Sequence, residues 1–358
     1  METKTHINTI LGSKDYLEFL RGKSATFLLS LSTTKTLEIP GITQAGIPGL
    51  IHLTPTLDSE FLCSGEVRCL ENLAETPKGV PTPALITRAV HLLKPFRNLE
   101  IMDLGMSQKP NLEYFKVHDF QINPSQAINR GAGIDAMKIF QQGVEFGKSY
   151  ECDSDYIILA ESVPAGTTTA YATALALGYD CAGKFSSSFK NSPDDVKEQT
   201  VKDALNNIKT KDDLFERIGE VSDNMLIFNA GFVLGNSSTS KKLILAGGTQ
   251  MAAVLLLANS IVNYMGGKLD SSNIALCTTK WVHEDTDSDI KSLLEMLDFS
   301  INAYSANFDF TKSNHPALKL YDEGEAKEGV GAGGALCYGL INGLNEEDII
   351  KQVEAFLG

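Results

Sequence analysis

Two acidic residues, Glu161 and Glu328, each stand where a turn leads into a predicted helix. Glu161 ends the apolar run that begins at Tyr156, and Glu328 begins the glycine-rich stretch that ends at Gly334. Ligands of open α/β sheets bind beyond the carboxyl ends of strands, where helix N-termini offer free amides to an anion. A partly buried carboxylate at such a place can serve as a general base. Each stretch alone is equally compatible with a capped helix beside a surface acid.

The turn after Glu161 has the residue types that suit a phosphate group. Small residues lead to Gly166, and the threonines that follow open an alanine-rich helix, for which Thr167 is the predicted N-cap. A later helix is predicted to begin at Pro193 or Asp194. Lys197 lies in its first turns. These positions predict an anion site next to the Glu161 carboxylate.

The elements that position these residues alternate along the chain. Short apolar runs predict strands, and three- and four-residue spacing of apolar side chains predicts helices of ten or more residues. The predicted strands cover residues 25–33, 51–56, 99–105, 156–160, 241–248, 273–279 and 304–310. The predicted helices cover residues 82–93, 135–150, 194–208, 225–234, 251–262 and 290–297. This alternation predicts an α/β fold with a mostly parallel sheet and helices on both faces, and a linker or lid from residue 106 to residue 132.

Composition narrows the class of protein. The formal net charge of -14 argues against a general nucleic-acid or anionic-membrane surface, because both partners favour Lys/Arg patches. No signal or transit pattern is visible in residues 1–20, and the longest apolar run is too short to span a bilayer, so we expect a cytoplasmic protein. The six cysteines are scattered without a CxxC pair, which favours small buried hydrophobes over disulfides or metal ligands.

Several well-known sequence motifs are incomplete or absent in this chain. Gly329, Gly331 and Gly334 form a GxGxxG, but no suitable strand precedes it and no acid ends a following strand, so we do not predict NAD binding. The acidic run 283–289 lacks the glycine and the final glutamate of a calcium loop, and is predicted to cap the helix that follows. Neither an HExxH nor a GxxxxGK[ST] pattern is present. We therefore predict no metal and no cofactor.

Six longer stretches together resemble one family, the nicotinate-nucleotide:dimethylbenzimidazole phosphoribosyltransferases of cobalamin nucleotide-loop assembly, in particular its shorter archaeal and cyanobacterial branch. The stretches are HLTPTLDSEFL from His52, TPALITRAV from Thr82, AESVPAGTTTAYATALA from Ala160, FSSSFKNSPDDVK from Phe185, LAGGTQMAAVLLLA from Leu245 and KEGVGAGGA from Lys327. They span most of the chain and keep the family's order.

The resemblance implies a fold, an assembly and a reaction. It implies a Rossmann-like sheet in a large nucleotide-binding domain, residues 25–311, and a small helical domain built from residues 1–24 and 312–358, which carries the glycine-rich turn. It implies a homodimer. The family reaction transfers the phosphoribosyl group of nicotinate mononucleotide to a benzimidazole or related base, with release of nicotinate. A nicotinate leaving group demands no metal.

The resemblance also implies roles for individual residues. Glu328 matches the proposed general base, and Glu161 matches a second carboxylate near the incoming base. Residues 186–188 replace a Gly-Thr-Gly-like loop with serines, which keep hydroxyl and amide donors for phosphate. The residues implied to contact the nucleotide and its phosphate are Gly166, Thr167, Thr168, Ser186, Ser187, Ser188, Lys197, Gly329 and Gly331.

Two alternatives stay open at this point. A non-catalytic nucleotide-binding or regulatory homologue is compatible with the divergent N-terminal third, where Thr54-Pro55-Thr56 stands in place of the Asp-His-Gly of the longer branch. A nucleoside phosphorylase or hydrolase is the third reading. The acceptor base is also open among benzimidazole, adenine and phenolic compounds.

Overall fold

A single eight-stranded sheet organises the part of the chain that the computed structural model describes, residues 6–70 and 75–358. Its strands follow the order β1-β8-β7-β6-β5-β2-β3-β4, and all neighbours are parallel except β1 and β8. The strands are β1 (Ile7–Leu11), β2 (Ala25–Leu31), β3 (Asn98–Asp103), β4 (Lys116–Asp119), β5 (Tyr156–Ser162), β6 (Lys242–Ala246), β7 (Ile274–Thr279) and β8 (Asn302–Ala306). The predicted mostly parallel α/β sheet is confirmed.

Helices cover both faces of this sheet. They are α1 (Asp15–Leu20), α2 (Thr54–Ser64), α3 (Ala84–Leu93), α4 (Ala136–Ser149), α5 (Gly166–Ala176), α6 (Asp194–Asn206), α7 (Leu214–Val221), α8 (Asn224–Ser237), α9 (Thr249–Tyr264), α10 (Lys280–His283), α11 (Ile290–Glu295), α12 (Pro316–Asp322), α13 (Ala332–Ile341) and α14 (Glu346–Glu354). One core lies between the sheet and a layer that includes α4, α5, α8 and α9, and a second lies beneath α3, α13 and α14. Each face of the sheet is therefore buried, as a parallel sheet requires.

The centre of the sheet fixes where a ligand site can form. Every residue of β2 and β5 is buried, in keeping with their continuous apolar runs. From β2 the chain builds outward through β3 and β4, and from β5 it builds in the other direction through β6, β7 and β8. The strand order therefore reverses between β2 and β5. The carboxyl end of β5, which carries Glu161, lies at this switch point.

Two glycines of α4 allow its backbone to lie close to that of α8. A Cβ atom on Gly143 of α4 would lie 2.1 Å from the Phe228 carbonyl oxygen of α8, and one on Gly147 would lie 2.4 Å from that of Phe232. A larger residue at either position would force the two helices apart. Asp223, the N-cap of α8, lies near the carboxyl group of Glu161.

Four local predictions differ from the structure. Residues 51–56 do not form a strand; they form a short 3-10 turn and the start of α2, where Pro55 lies in the first turn, a place that needs no amide donor. Thr167 is not the N-cap of α5, because the helix already begins at Gly166 and left-handed Ala165 precedes it. The segment between residues 106 and 132 includes the edge strand β4, and the last strand ends at Ala306.

Both ends of the chain pack on the sheet. Residues 1–24, of which 1–5 lie outside the described ranges, contribute β1 and α1, and β1 pairs with β8 at the edge. Residues 312–358 contribute α13, which packs on the second face. The division into a small helical and a large domain stays a prediction.

Among the described residues, no helix is long and apolar enough to cross a membrane. All six cysteines are free thiols, and four of them are buried, as the sequence predicts for small core residues: Cys63, Cys181, Cys277 and Cys337.

Candidate active site

The first acidic turn joins β5 to α5. Glu161 is the sixth residue of β5 and is 2% exposed. The chain then passes through Ala165, whose φ of 65° is rare for a residue with a side chain, before α5 begins. Gly166 must be a glycine, since a Cβ atom there would lie 1.9 Å from Oε1 of Gln250. The strained turn thus brings the N-terminus of α5 beside Glu161.

The second acidic turn precedes α13. Ala326 and Val330 have φ angles of 47° and 52°, and the glycines at 329 and 331 also have positive φ. Val330 fastens this turn to the first one, because its amide donates to the Glu161 carbonyl at 2.9 Å and its own carbonyl accepts from Thr87 Oγ1 at 2.8 Å. Strained non-glycine residues in both turns indicate that the surrounding structure enforces this geometry.

The carboxyl group of Glu328 is held by four hydrogen bonds. Its Oε2 accepts from the Thr279 amide at 2.9 Å and from Thr278 Oγ1 at 3.2 Å. Its Oε1 accepts from the amides of Gly329 and Gly333 at 3.2 and 3.1 Å. Burial raises the pKa of Glu328 to about 7, and the four donors act in the opposite direction by stabilising the anion.

The carboxyl group of Glu161 has far fewer donors. Its Oε2 accepts only from the Val163 amide, at 3.1 Å, and among the described residues no other hydrogen bond reaches it. Burial raises its pKa to about 8, and the nearby carboxyl groups of Glu328, Asp223 and Asp58 raise it further. Glu161 therefore keeps its proton to a higher pH than Glu328 does.

Both carboxyl groups line one cleft. It encloses about 900 Å³ of space, which includes its open mouth. The predicted site residues that line it are Glu161, Gly166, Thr167, Ser186, Ser187, Ser188, Glu328 and Gly329. The structure thus brings together two acids, the start of α5 and residues 186–188, which we call the serine loop.

Three predicted site residues do not line the cleft. Thr168 is buried within α5. Lys197 is 5% exposed, and its Nζ donates to the carbonyls of Phe185 and Ser186 at 3.1 and 3.0 Å, behind the serine loop. Gly331 is packed inside, since a Cβ atom there would lie 2.6 Å from that of Ala160. These residues support the wall of the cleft from behind.

The sequence analysis missed a third carboxyl group in the cleft, that of Asp58 on α2. Its Oδ1 and Oδ2 accept from Thr82 Oγ1 and Ser162 Oγ, each at 2.7 Å. Burial raises the pKa of Asp58 to about 6. Asp58 belongs to one of the stretches that carry the family resemblance, so a signal was present, but the wrong strand prediction for residues 51–56 hid its position.

The sequence analysis also missed an ion pair at the serine end of the cleft. Lys327 Nζ lies 2.9 Å from Asp285 Oδ2, and both side chains are about 5% exposed. Asp285 Oδ2 also accepts from Ser186 Oγ at 3.2 Å. The acidic run around Asp285 predicts only a helix-capping turn. Nothing in its local pattern indicates that a lysine more than forty positions later pairs with it.

No group of three or more His, Cys, Asp or Glu side chains that could hold a metal ion occurs in residues 6–70 and 75–358. The donors that face the cleft are amides, hydroxyls and one ammonium group. Such donors suit an anionic organic ligand, and the carboxyl groups beside them suit N–H groups or positive charge.

Comparison with known proteins identifies relatives that are similar over most of the chain. No family model matches the chain. The chain is 38% identical over 331 residues to a UPF0284 protein of Sulfurisphaera tokodaii, covering 92% of this chain and 91% of that protein. A UPF0284 protein of Saccharolobus solfataricus is 35% identical over 340 residues, covering 94% and 93%.

Among solved structures, the nicotinate-nucleotide-dimethylbenzimidazole phosphoribosyltransferase of Thermus thermophilus is similar with a TM-score of 0.61 and 15% identity, covering 96% of this chain and 92% of that one. A structure of CobT from the same organism is similar with a TM-score of 0.61 and 14% identity, covering 95% and 90%. The chain therefore has the fold of these enzymes.

Proposed function

This chain belongs to the UPF0284 family, and we propose that it is a phosphoribosyltransferase. It transfers the 5-phosphoribosyl group of nicotinate mononucleotide to a benzimidazole-type base or adenine, giving an α-riboside phosphate and nicotinate for cobalamin nucleotide-loop assembly. The observation that carries this proposal is the pair of buried carboxyl groups at the switch point, of which only Glu328 is held as an anion by four hydrogen bonds. The shared fold with the Thermus enzyme supports it.

In this reaction Glu328 acts as the general base. The unprotonated ring nitrogen of the acceptor forms a bond to the anomeric carbon while the N–H proton of the other ring nitrogen passes to a Glu328 oxygen. The bond between that carbon and the nicotinate ring nitrogen breaks, and its electron pair stays on the ring, so nicotinate leaves. The acceptor enters from the face opposite nicotinate, which inverts the anomeric carbon. General-base catalysis of this kind contributes about 10² to 10⁴ in rate.

The carboxyl cluster suits the charge of this reaction. The donor's pyridinium ring is cationic, and the transition state places positive charge on the ribose ring. Asp58, Glu161 and Glu328 line the same cleft, and the pKa of each is raised first of all by burial. A cation that enters favours the ionised forms of Asp58 and Glu328, so binding and catalysis draw on the same two charges.

The cleft also offers donors to the 5′-phosphate. Thr167 lies at the start of α5, where its amide and hydroxyl make no hydrogen bond within the described chain. Ser186, Ser187 and Ser188 line the opposite wall. Gly329 brings the backbone of the second turn near the ligand. We assign these residues to nucleotide binding.

The test is a chromatographic assay that follows both nicotinate and riboside phosphate. Purified protein is incubated with nicotinate mononucleotide and, separately, dimethylbenzimidazole, adenine, phenol or no acceptor. We expect riboside phosphate with a benzimidazole-type base or adenine and no product in the Glu328→Gln variant. Nicotinate release that needs only phosphate or water identifies a phosphorylase or hydrolase instead. Calorimetric binding of the nucleotide without turnover on any base supports a non-catalytic nucleotide-binding protein.

We also propose that the chain forms a homodimer and acts in the cytoplasm. The family resemblance supports the first statement. Analytical ultracentrifugation of the purified protein measures the first, since a dimer has twice the chain mass of 38.8 kDa. A monomer at micromolar concentration contradicts it.

A further inference from the structure

The residue that the sequence assigns to the phosphate, Lys197, is turned away from the cleft. Its ammonium group donates to two carbonyls of the serine loop, those of Phe185 and Ser186. We propose that Lys327 is the cation that binds the substrate phosphate monoester, that Asp285 holds its ammonium group in place, and that Lys197 positions the serine loop. This inference rests on the proposed function, because it names the group that recognises the donor nucleotide.

The first argument is the charge distribution of the cleft. Among the described residues that line it, the acids are Asp58, Glu75, Glu161 and Glu328, and Lys327 is the one basic side chain. A phosphate monoester carries up to two negative charges, and a cleft with four carboxyl groups would repel it. Lys327 is the lining residue whose charge can offset that repulsion.

The second argument is the hydrogen bonding of Lys327. An ammonium group has three N–H donors, and that of Lys327 makes one hydrogen bond within the described chain, to Asp285 Oδ2. The side chain is only 4% exposed. Buried donors are normally satisfied, so the remaining two call for a ligand or water in the cleft. Lys197, by contrast, uses two donors on protein carbonyls.

The third argument is the position of Lys327 next to the serine loop. Asp285 Oδ2 accepts from both Lys327 and Ser186 Oγ, so one carboxylate oxygen holds the ammonium and the first serine together. The Ala326 amide donates to the Ser188 carbonyl at 3.3 Å, which fixes the two segments side by side. Ser187 Oγ accepts from the Phe189 amide and keeps its own proton for a ligand. An ammonium group and a hydroxyl therefore reach the same part of the cleft.

A carboxylate partner distinguishes the two buried lysines of this region, Lys327 and Lys197. Removing a lysine from water disfavours its charge unless a partner compensates. Asp285 supplies the partner and leaves the other donors free. Lys197, which lacks such a partner at hydrogen-bond distance, has its pKa lowered to about 8, chiefly by burial, with a smaller effect from Lys327.

The test compares a phosphorylated donor with the same donor lacking phosphate. Rates are measured with nicotinate mononucleotide and with nicotinate riboside for the wild type, for Lys327→Met and for the double variant Lys327→Met/Asp285→Asn, which leaves no unpaired buried charge. Lys190→Met is the matched control, since Lys190 is an exposed lysine that pairs with Glu323. Lys197→Met tests the competing assignment.

We expect both Lys327 variants to lower kcat/KM for the nucleotide by about 10- to 100-fold, which is the loss of a charged hydrogen bond, with little change for the riboside. Lys190→Met leaves both values unchanged, and Lys197→Met lowers both together. A Lys327 variant that keeps the full preference for the phosphorylated donor overturns the inference. So does a Lys197 variant that alone loses this preference.

A binding measurement separates this inference from the proposed function. Calorimetry with ribose 5-phosphate, inorganic phosphate and ribose needs no turnover. We expect ribose 5-phosphate to bind the wild type at least about tenfold more tightly than the double variant, and ribose to show no difference. Loss of transfer in every assay with this binding difference intact removes the transferase and keeps the phosphate site. Equal binding of ribose 5-phosphate to both proteins removes the site.

Discussion

The two acidic turns, at Glu161 and at Glu328, have the same plan and hold their carboxyl groups differently. Each joins an acid to a helix N-terminus through a left-handed residue that is not glycine, Ala165 in one and Val330 in the other. Both acids line one cleft, Glu161 almost fully buried and Glu328 partly buried. Glu328 receives four hydrogen bonds, and Glu161 receives one.

The difference teaches that backbone amides decide which acid is the base. Burial alone raises the pKa of both groups. Donors aimed at Glu328 offset part of this rise, so its pKa is about 7, whereas that of Glu161, which has one donor and acidic neighbours, is about 8. The proton that leaves first is therefore that of Glu328.

The largest expected effect comes from Glu328→Gln. Glutamine keeps the shape and cannot accept a proton, so we expect kcat for phosphoribosyl transfer to fall by about 10² to 10⁴ while nucleotide binding persists. Rapid-quench measurement of a single turnover isolates the chemical step. Glu323→Gln is the matched control, because Glu323 is a half-exposed acid five positions earlier that pairs with Lys190. Full turnover in Glu328→Gln removes Glu328 as the base.

The same substitution at Glu161 should cost much less. Glutamine resembles the protonated acid and still accepts from the Val163 amide, so we expect Glu161→Gln to lower kcat/KM by less than about tenfold. The pH profile of kcat/KM should still rise through about pH 7 as Glu328 ionises. A loss as large as that of Glu328→Gln, or an acid limb that disappears, means that Glu161 is the base.

The sequence predicts those features of the two turns that depend on neighbouring residues, and not those that depend on residues far apart in the chain. Most strands, most helices and the two acids were predictable because apolar periodicity and turn chemistry depend on residues that are close together in the sequence. The different hydrogen bonding of the two acids was not predictable. The donors of Glu328 include Thr278 and Thr279, which lie about fifty positions away in the chain. Lys327 and Asp285 were missed for the same reason: their pairing is purely tertiary.

The stability of the fold should depend on pH through Glu161. In the unfolded chain Glu161 releases its proton near its ordinary value of 4.5, whereas the folded chain keeps it up to about pH 8. Between these values the folded state binds more protons, so the free energy of unfolding falls as pH rises. Glu161→Gln removes this loss, and we expect the variant to gain at least about 1 kcal/mol relative to wild type between acid and alkaline pH.

Urea unfolding at a series of pH values measures this gain. Glu328→Gln serves as the comparison, because it removes only the smaller loss that Glu328 contributes up to about pH 7 and keeps the loss due to Glu161. Its amide also leaves some of the four donors without an acceptor. Equal pH dependence in the wild type and Glu161→Gln contradicts a proton held on Glu161.

The smallest expected effect comes from removing one of the four hydrogen bonds to Glu328, which should bring its pKa closer to that of Glu161. Thr278→Val removes one hydroxyl donor at 3.2 Å and keeps the shape of a fully buried side chain. One lost hydrogen bond is worth about 0.5–1.5 kcal/mol, so the acid limb of kcat/KM should move upward by up to about one pH unit. Thr200→Val, which removes a hydroxyl that bonds only a carbonyl of its own helix, is the matched control and should leave the limb in place. A limb that stays at its wild-type position in Thr278→Val means that the backbone amides alone set the pKa of Glu328.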